Sequence, residues 1–172
     1  MFIDLNDLAL RGGERHQRVY SLDVAPVVLG GAGYQVLVPD GVKVAVNRVA
    51  GGFLLDVSLD ARVYGPCARC LQEAVLEVHA EQQEFAATAK GGWEGTELSE
   101  FIEELVADIS AITREALVLA LPAQIVCAPE CKGLCPRCGH DLNVGCCACG
   151  PEGIDERWGV LKDLRLGDDV AP

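Results

Sequence analysis

Three things that often reveal a function are missing here: a basic excess, a long apolar run and a catalytic motif. Lys and Arg number 14 against 26 Asp and Glu, giving a formal charge of −12. Surfaces that grip phosphates ordinarily carry a basic excess on at least one face, so bare nucleic acid is a poor ligand for the chain as a whole. The charge either serves solubility alone or presents an acidic surface to a basic partner. Basic residues still gather at Arg11, Arg15 and Arg18, at Lys132 and Arg137, and at Arg157, Lys162 and Arg165. A local RNA contact stays open on that account.

The longest strongly apolar stretch, Ala116 to Leu121, stops at Pro122, far short of a membrane span. The opening residues MFIDLNDLAL carry Asp4 and Asp7 where a secretory signal would be basic, so the expected setting is soluble and cytoplasmic, with no membrane. His16, His79 and His140 are scattered, and no Ser-His-Asp, nucleophile-elbow, phosphate-loop or HExxH pattern appears. Gly30-Gly31-Ala32-Gly33 lacks the GxGxxG spacing of a dinucleotide site and reads as a connection. Glu97, Glu100, Glu103 and Glu104 read as a solvated face rather than an acid–base pair. The expectation is a protein that is not an enzyme.

What the chain has in abundance is cysteine, nine in all: seven between Cys127 and Cys149, and two in Cys67-x-x-Cys70. A disulfide framework goes with a short exported chain, and an odd count would strand one thiol. Metal is the better reading. Thiolates two residues apart suit a tetrahedral ion because the turn between them aims both sulfurs at one point, and Gly139 after Cys138 eases that turn. His140 beside Cys138 could replace a thiol, though an exposed turn residue is the plainer reading.

Period-two alternation runs from Tyr34 to Ala89. YQVLVP, VKVAVNRVA and FLLDVSLDARVYG are broken by Pro39-Asp40-Gly41 and Gly51-Gly52, and EAVLEVHAEQQEFAAT follows, which predicts an antiparallel meander. RVYSLDVAPVVL predicts an earlier strand ending near Pro26. Cys67 and Cys70 fall on the turn between the last two long strands, the place of a zinc knuckle; a thioredoxin-type CxxC instead opens a helix within a βαβ pattern. Arg69 inside that turn reads as solvated. Leu98, Phe101, Ile102, Leu105, Val106 and Ile109 recur at helical spacing after Thr96 or Ser99 as cap, and Ser110 is available to cap a second helix that stops at Pro122. The expected fold class is α+β: an antiparallel β meander or barrel-like sheet with one or two helices packed on it and a small C-terminal zinc-ribbon-like lobe. The expected divisions are 1–126 for sheet and helix, 127–150 for the cysteine lobe and 151–172 for a tail with a short helix.

Several stretches in order carry a resemblance. Cys67-Ala-Arg-Cys70-Leu71, EALVLALP at 115–122, Cys127-x3-Cys131-Lys-Gly-Leu-Cys135-Pro-Arg-Cys138-Gly with Asp141-Leu-Asn143, Cys147-Ala-Cys149, and Arg157-Trp158-x-x-Leu161-Lys162 resemble the YceD-like family, the large ribosomal RNA subunit accumulation proteins. The resemblance implies a bacterial or plastid protein needed for normal levels of large-subunit ribosomal RNA, with no established enzymatic activity. Cys146 and the N-terminal third depart from the pattern.

Spacing then suggests ligand sets for two zinc ions. Cys135, Cys138, Cys147 and Cys149 can close one site locally, leaving Cys67 and Cys70 to meet Cys127 and Cys131. Two alternatives remain at this point: the two CxxC knuckles pairing with each other, and Cys146 in place of Cys147. The functional expectation is a zinc-binding factor for ribosome biogenesis that contacts a basic ribosomal or assembly protein, or ribosomal RNA. The alternative is a zinc–thiol redox switch with Cys146 as the spare thiol.

Overall fold

The structure is a computed structural model in which residues 1–88, 99–150, 159 and 161 are described. Its elements in order are β1 (Phe2–Asp4), β2 (Arg15–Tyr20), β3 (Val27–Leu29), β4 (Ala32–Leu37), β5 (Val42–Val49), β6 (Gly52–Pro66), β7 (Glu73–Ala87), β8 (Ile102–Glu103), β9 (Val106–Asp108) and α1 (Ile109–Ala120). Among the described residues they make a six-stranded and a three-stranded antiparallel sheet with one helix, the expected α+β class.

The long hairpin β6–β7 is the spine, 15 residues paired with 15 from Gly52↔Ala87 to Pro66↔Glu73. Its alternation sets the core: Leu55, Val57, Leu59, Ala61 and Val63 point to one face of β6 and are all buried. β5, β6 and β7 form the predicted meander, turning at Gly51 with φ 83°. The Pro39-Asp40-Gly41 turn does something else. β4 and β5 both run antiparallel to β6 along the same edge, β4 against Tyr64–Arg62 and β5 against Leu59–Gly52. Between Leu37↔Arg62 and Val42↔Leu59 the chain takes five residue steps against three on β6, so this turn is a bulge-like jog rather than a reversal. Two short strands cover one long one.

The strand expected to end near Pro26 breaks at Tyr20 and resumes as β3, which pairs with β4 through a tight turn at Gly30-Gly31. Tyr34 folds inward over Gly65, where a Cβ would stand 2.6 Å from the ring, and its hydroxyl donates to the Pro66 carbonyl at 2.8 Å. Removing that side chain's bulk at position 65 is what lets a large ring be almost wholly buried beside the hairpin end.

The helix expected from residue 98 onward is not there. Within its described part, Ile102↔Ala107 and Glu103↔Val106 pair as a hairpin closed by Glu104 and Leu105, both at positive φ (48° and 67°), and β9 pairs in turn with β1. Thr96 and Leu98 lie outside the described residues. The second expected helix is α1, but its cap is Asp108, whose Oδ1 accepts from the N–H groups of Ser110 and Ala111, so Ser110 lies inside the helix. Leu121 is extended (ψ 139°), as the residue before a proline must be, and ends it. α1 lies against β7 and β6, burying Ile109, Ile112, Ala116 and Leu117; each fully buried Ile or Leu contributes ~1.5–3 kcal/mol.

The chain divides into two compact units, Met1–Gly133 and Leu134–Pro172, so Cys127 and Cys131 belong with the sheet rather than with a lobe beginning at 127. The expected tail helix at 151–172 lies outside the described residues apart from Gly159 and Leu161.

Candidate metal centre

The first cluster is built at the end of the β6–β7 hairpin. Leaving β6, the chain makes a tight turn in which the Leu71 N–H donates to the Cys67 carbonyl (3.0 Å) and the Cys67 N–H to the Gln72 carbonyl (2.7 Å). This aims the sulfurs of Cys67 and Cys70 the same way. The segment after α1 then returns to the turn: the Ala68 N–H donates to the carbonyl of Ile125, itself fully buried, at 2.8 Å. Cys127 and Cys131 arrive with it. Cys67 Sγ stands 3.9 Å from Cys131 Sγ and Cys70 Sγ 3.5 Å from Cys127 Sγ, and all four sulfurs lie within 4.8 Å of one another.

Arg69 ties these two segments together. Its guanidinium donates to the carbonyls of Cys131 (2.9 Å) and Pro129 (3.3 Å), while its backbone N–H points at Cys67 Sγ (3.4 Å). Arg69 is exposed, as expected, but its guanidinium also holds the returning loop, a role that the solvated reading did not include.

The second cluster is local to its unit. A Cys135 N–H bond to the His140 carbonyl (2.8 Å), a Gly139 N–H bond to the Cys135 carbonyl (2.8 Å) and a bridge between Leu134 and Asp141 form the knuckle, with Gly139 at φ 70°. Cys135, Cys138, Cys147 and Cys149 again hold their sulfurs within 4.8 Å. The pairing of the two knuckles with each other is not what the structure builds. Cys146 is exposed and stands outside both clusters, as does the exposed His140.

Electrostatics within each cluster are uneven. Burial pushes the Cys67 thiol up, but the N–H groups of Cys70, Arg69 and Cys127 outweigh it and hold it at about 6. Cys127 is pushed up to about 12 by its contacts with the thiols of Cys70 and Cys131. In the second cluster the N–H groups of Cys138 and Arg137 hold Cys135 at about 6, while contact with Cys138 pushes Cys149 up to about 12. In each cluster one thiolate forms easily while Cys127 and Cys149 resist, because negative sulfurs held this close repel one another. Four sulfurs around a tetrahedral ion at the zinc–sulfur distance would be about 3.8 Å apart, close to the separations seen. The donor sets therefore fit a metal ion that would hold all four as thiolates.

Of the other predicted residues, His79 is exposed and bonded to Asp60 (2.8 Å), and Glu100, Glu103 and Glu104 are exposed on and beside the β8–β9 hairpin. Lys132 and Arg137 are exposed; Glu97, Arg157 and Lys162 lie outside the described residues. Sequence reasoning missed Gly133. Its φ is 75°, and a Cβ there would stand 2.9 Å from the Arg69 carbonyl, so the loop carrying Cys131 can lie on the first knuckle only through this glycine. The signal was a glycine two residues past a cysteine. Among the described residues no helix is long and apolar enough to cross a membrane.

Among the described residues, two antiparallel sheets, one helix and two four-cysteine clusters that could hold metal ions define a small α+β protein. The family described as "Large ribosomal RNA subunit accumulation protein YceD" matches residues 55–165, which span both clusters, and the chain belongs to that family. An uncharacterized protein of Mycobacterium tuberculosis is 32% identical over 127 residues, covering 69% of this chain and 58% of the relative. The Arabidopsis thaliana protein named "Large ribosomal RNA subunit accumulation protein YCED homolog 1, chloroplastic" is 40% identical over 58 residues, 34% of this chain and 18% of that protein. A Zea mays protein of the same name is 41% identical over 59 residues, 32% of this chain and 20% of that protein. The match thus spans less than two thirds of the length of the mycobacterial relative. No solved structure matches the chain.

Proposed function

We propose that this protein is a non-enzymatic, cytoplasmic factor that holds two zinc ions and supports the accumulation of large-subunit ribosomal RNA by engaging a basic ribosomal or assembly protein. The observation that carries this reading is the family match, which runs across both four-cysteine clusters. All-thiolate donor sets favour zinc, and four protein ligands close its coordination shell, leaving no position at which a water could be activated. The zinc is then structural, fastening the loop after α1 to the β6–β7 hairpin in one unit and folding the short cysteine segment of the other. A formal charge of −12 favours a basic partner over phosphate.

In cells lacking the protein, the ratio of large- to small-subunit ribosomal RNA should fall, and it should recover with the wild-type chain but not with Cys67→Ser/Cys70→Ser. An unchanged ratio overturns the reading. Tight binding of the isolated protein to ribosomal RNA fragments at physiological salt, with a salt slope that flattens in Lys132→Ala/Arg137→Ala, would replace the protein partner by RNA.

A second reading, a zinc–thiol redox switch, draws on Cys146, an exposed thiol next in sequence to a cluster cysteine. There, oxidation would release one zinc and unfold its surroundings.

A further inference from the structure

The two clusters differ in what would remain of each without an ion. At the hairpin end, Cys67, Cys70 and Cys131 are 0%, 2% and 4% exposed, and only Cys127 is open to solvent. Contacts that need no metal already bring the two segments together: the Ala68 N–H on the Ile125 carbonyl, the Arg69 guanidinium on the carbonyls of Pro129 and Cys131, and Gly133 packed against Arg69. These four sulfurs therefore stay close when the ion leaves. A site preorganised in this way binds more tightly, because less has to be ordered on binding.

The second cluster has no such support. Among the described residues of its unit, Cys135 is the only buried one; Cys138 is exposed and Cys147 and Cys149 are half-buried. Val144 is 82% exposed, so it adds no core. The described backbone there forms no helix and no strand beyond the bridge between Leu134 and Asp141, and the turn from Asp141 to Val144 is local. A segment with so little to bury does not hold itself folded, so the metal is its core, and the free energy of binding goes into ordering it. Exposed sulfurs are also the ones that outside reagents reach.

We propose that the ion of the second cluster is exchangeable while that of the first is held, so that residues 134–149 fold and unfold with the supply of zinc and the sheet unit stays intact. In the exchange the ion passes from the four sulfurs to the donor atoms of a competing nitrogen, oxygen or thiol ligand. Freed thiolates that take up protons draw them from water, and no electron moves. Any contact that this unit makes is then conditional on metal supply. The proposal rests on the two-zinc reading given above.

The test loads the full chain with zinc under reducing conditions, adds excess EDTA and follows three signals: ion count by native mass spectrometry, alkylation of each cysteine in brief iodoacetamide pulses, and amide hydrogen exchange. One ion should leave at least about tenfold faster than the other, as the difference in preorganisation requires. With it Cys135, Cys138, Cys147 and Cys149 should become reactive and the bonded amides of Cys135 and Gly139 should lose protection, while Cys67, Cys70, Cys131 and the β6–β7 hairpin do not change. Added zinc should reverse all of this. Cys135→Ser/Cys138→Ser should keep the slow ion alone with the sheet unit still folded, and Cys146→Ser should release at the wild-type rate. The proposal is overturned by loss of both ions together, by earlier release from the first cluster, by a 134–149 segment that stays protected once its ion is gone, or by a fast release that disappears in Cys146→Ser, which would belong to the thiol switch. Loaded protein carrying fewer than two ions removes the two-zinc reading and this inference with it; two ions lost together remove only the order of release.

Discussion

Gly133 passes so close to Arg69 that a side-chain carbon on it would stand 2.9 Å from the Arg69 carbonyl oxygen and 3.2 Å from the Arg69 Cβ. The two residues belong to segments brought together by the first cluster, and the contact is as specific as the sulfurs themselves. Gly133→Ala adds that carbon at φ 75°, so it is expected to cost about 1–3 kcal/mol and to loosen Cys131 from its partners. Thermal melting with metal analysis checks this; a variant that melts like the wild type with full metal would contradict the close packing.

Metal stoichiometry follows from the two sulfur clusters. Purified protein should carry close to one zinc ion per cluster, with one lost in Cys67→Ser/Cys70→Ser and the other in Cys135→Ser/Cys138→Ser. Mass spectrometry under native conditions reads both. Zinc unaffected by the first pair of changes would mean that the cluster at the hairpin end is not a metal site.

Thr113 is almost wholly buried on α1, and its Oγ1 has no hydrogen-bond partner among the described residues. An unpaired buried hydroxyl is costly, so Thr113→Val should stabilise the protein by about 1 kcal/mol. Chemical denaturation with an unchanged m-value would show it. A destabilised variant would point to a bond that this conformation does not contain.

Cys146 should be the first thiol to react with peroxide or an alkylating agent, being exposed and outside both clusters. If zinc is structural, Cys146→Ser leaves metal content and its loss under mild peroxide unchanged, because closed thiolate sites shield their sulfurs. Reversible release of one zinc that disappears in Cys146→Ser would favour the redox switch.

The long strands were legible because β5, β6 and β7 alternate cleanly over one buried face, and the cysteine spacing suggested these two sets of four while leaving open the pairing of the two CxxC knuckles and the exchange of Cys146 for Cys147. The β8–β9 hairpin was not. Phe101, Ile102, Leu105 and Val106 fall at helical spacing, and the reversal is made by Glu104 and Leu105 at positive φ, where a two-residue turn usually advertises itself with Asn-Gly. What holds it is β1, more than ninety residues earlier, a pairing that local pattern cannot reveal. The role of Arg69 was equally hidden, since its acceptors are backbone carbonyls some sixty residues away.

The sulfurs of the first cluster lie 57 and 64 residues apart along the chain, while those of the second all fall within the stretch from Cys135 to Cys149. A ribosome synthesising this protein therefore releases Cys67 and Cys70 long before their counterparts exist. During that interval the β6–β7 hairpin has to stand on its pairing and apolar face alone, with two reduced sulfurs waiting at its tip. The last cysteines to emerge can capture an ion among themselves almost at once.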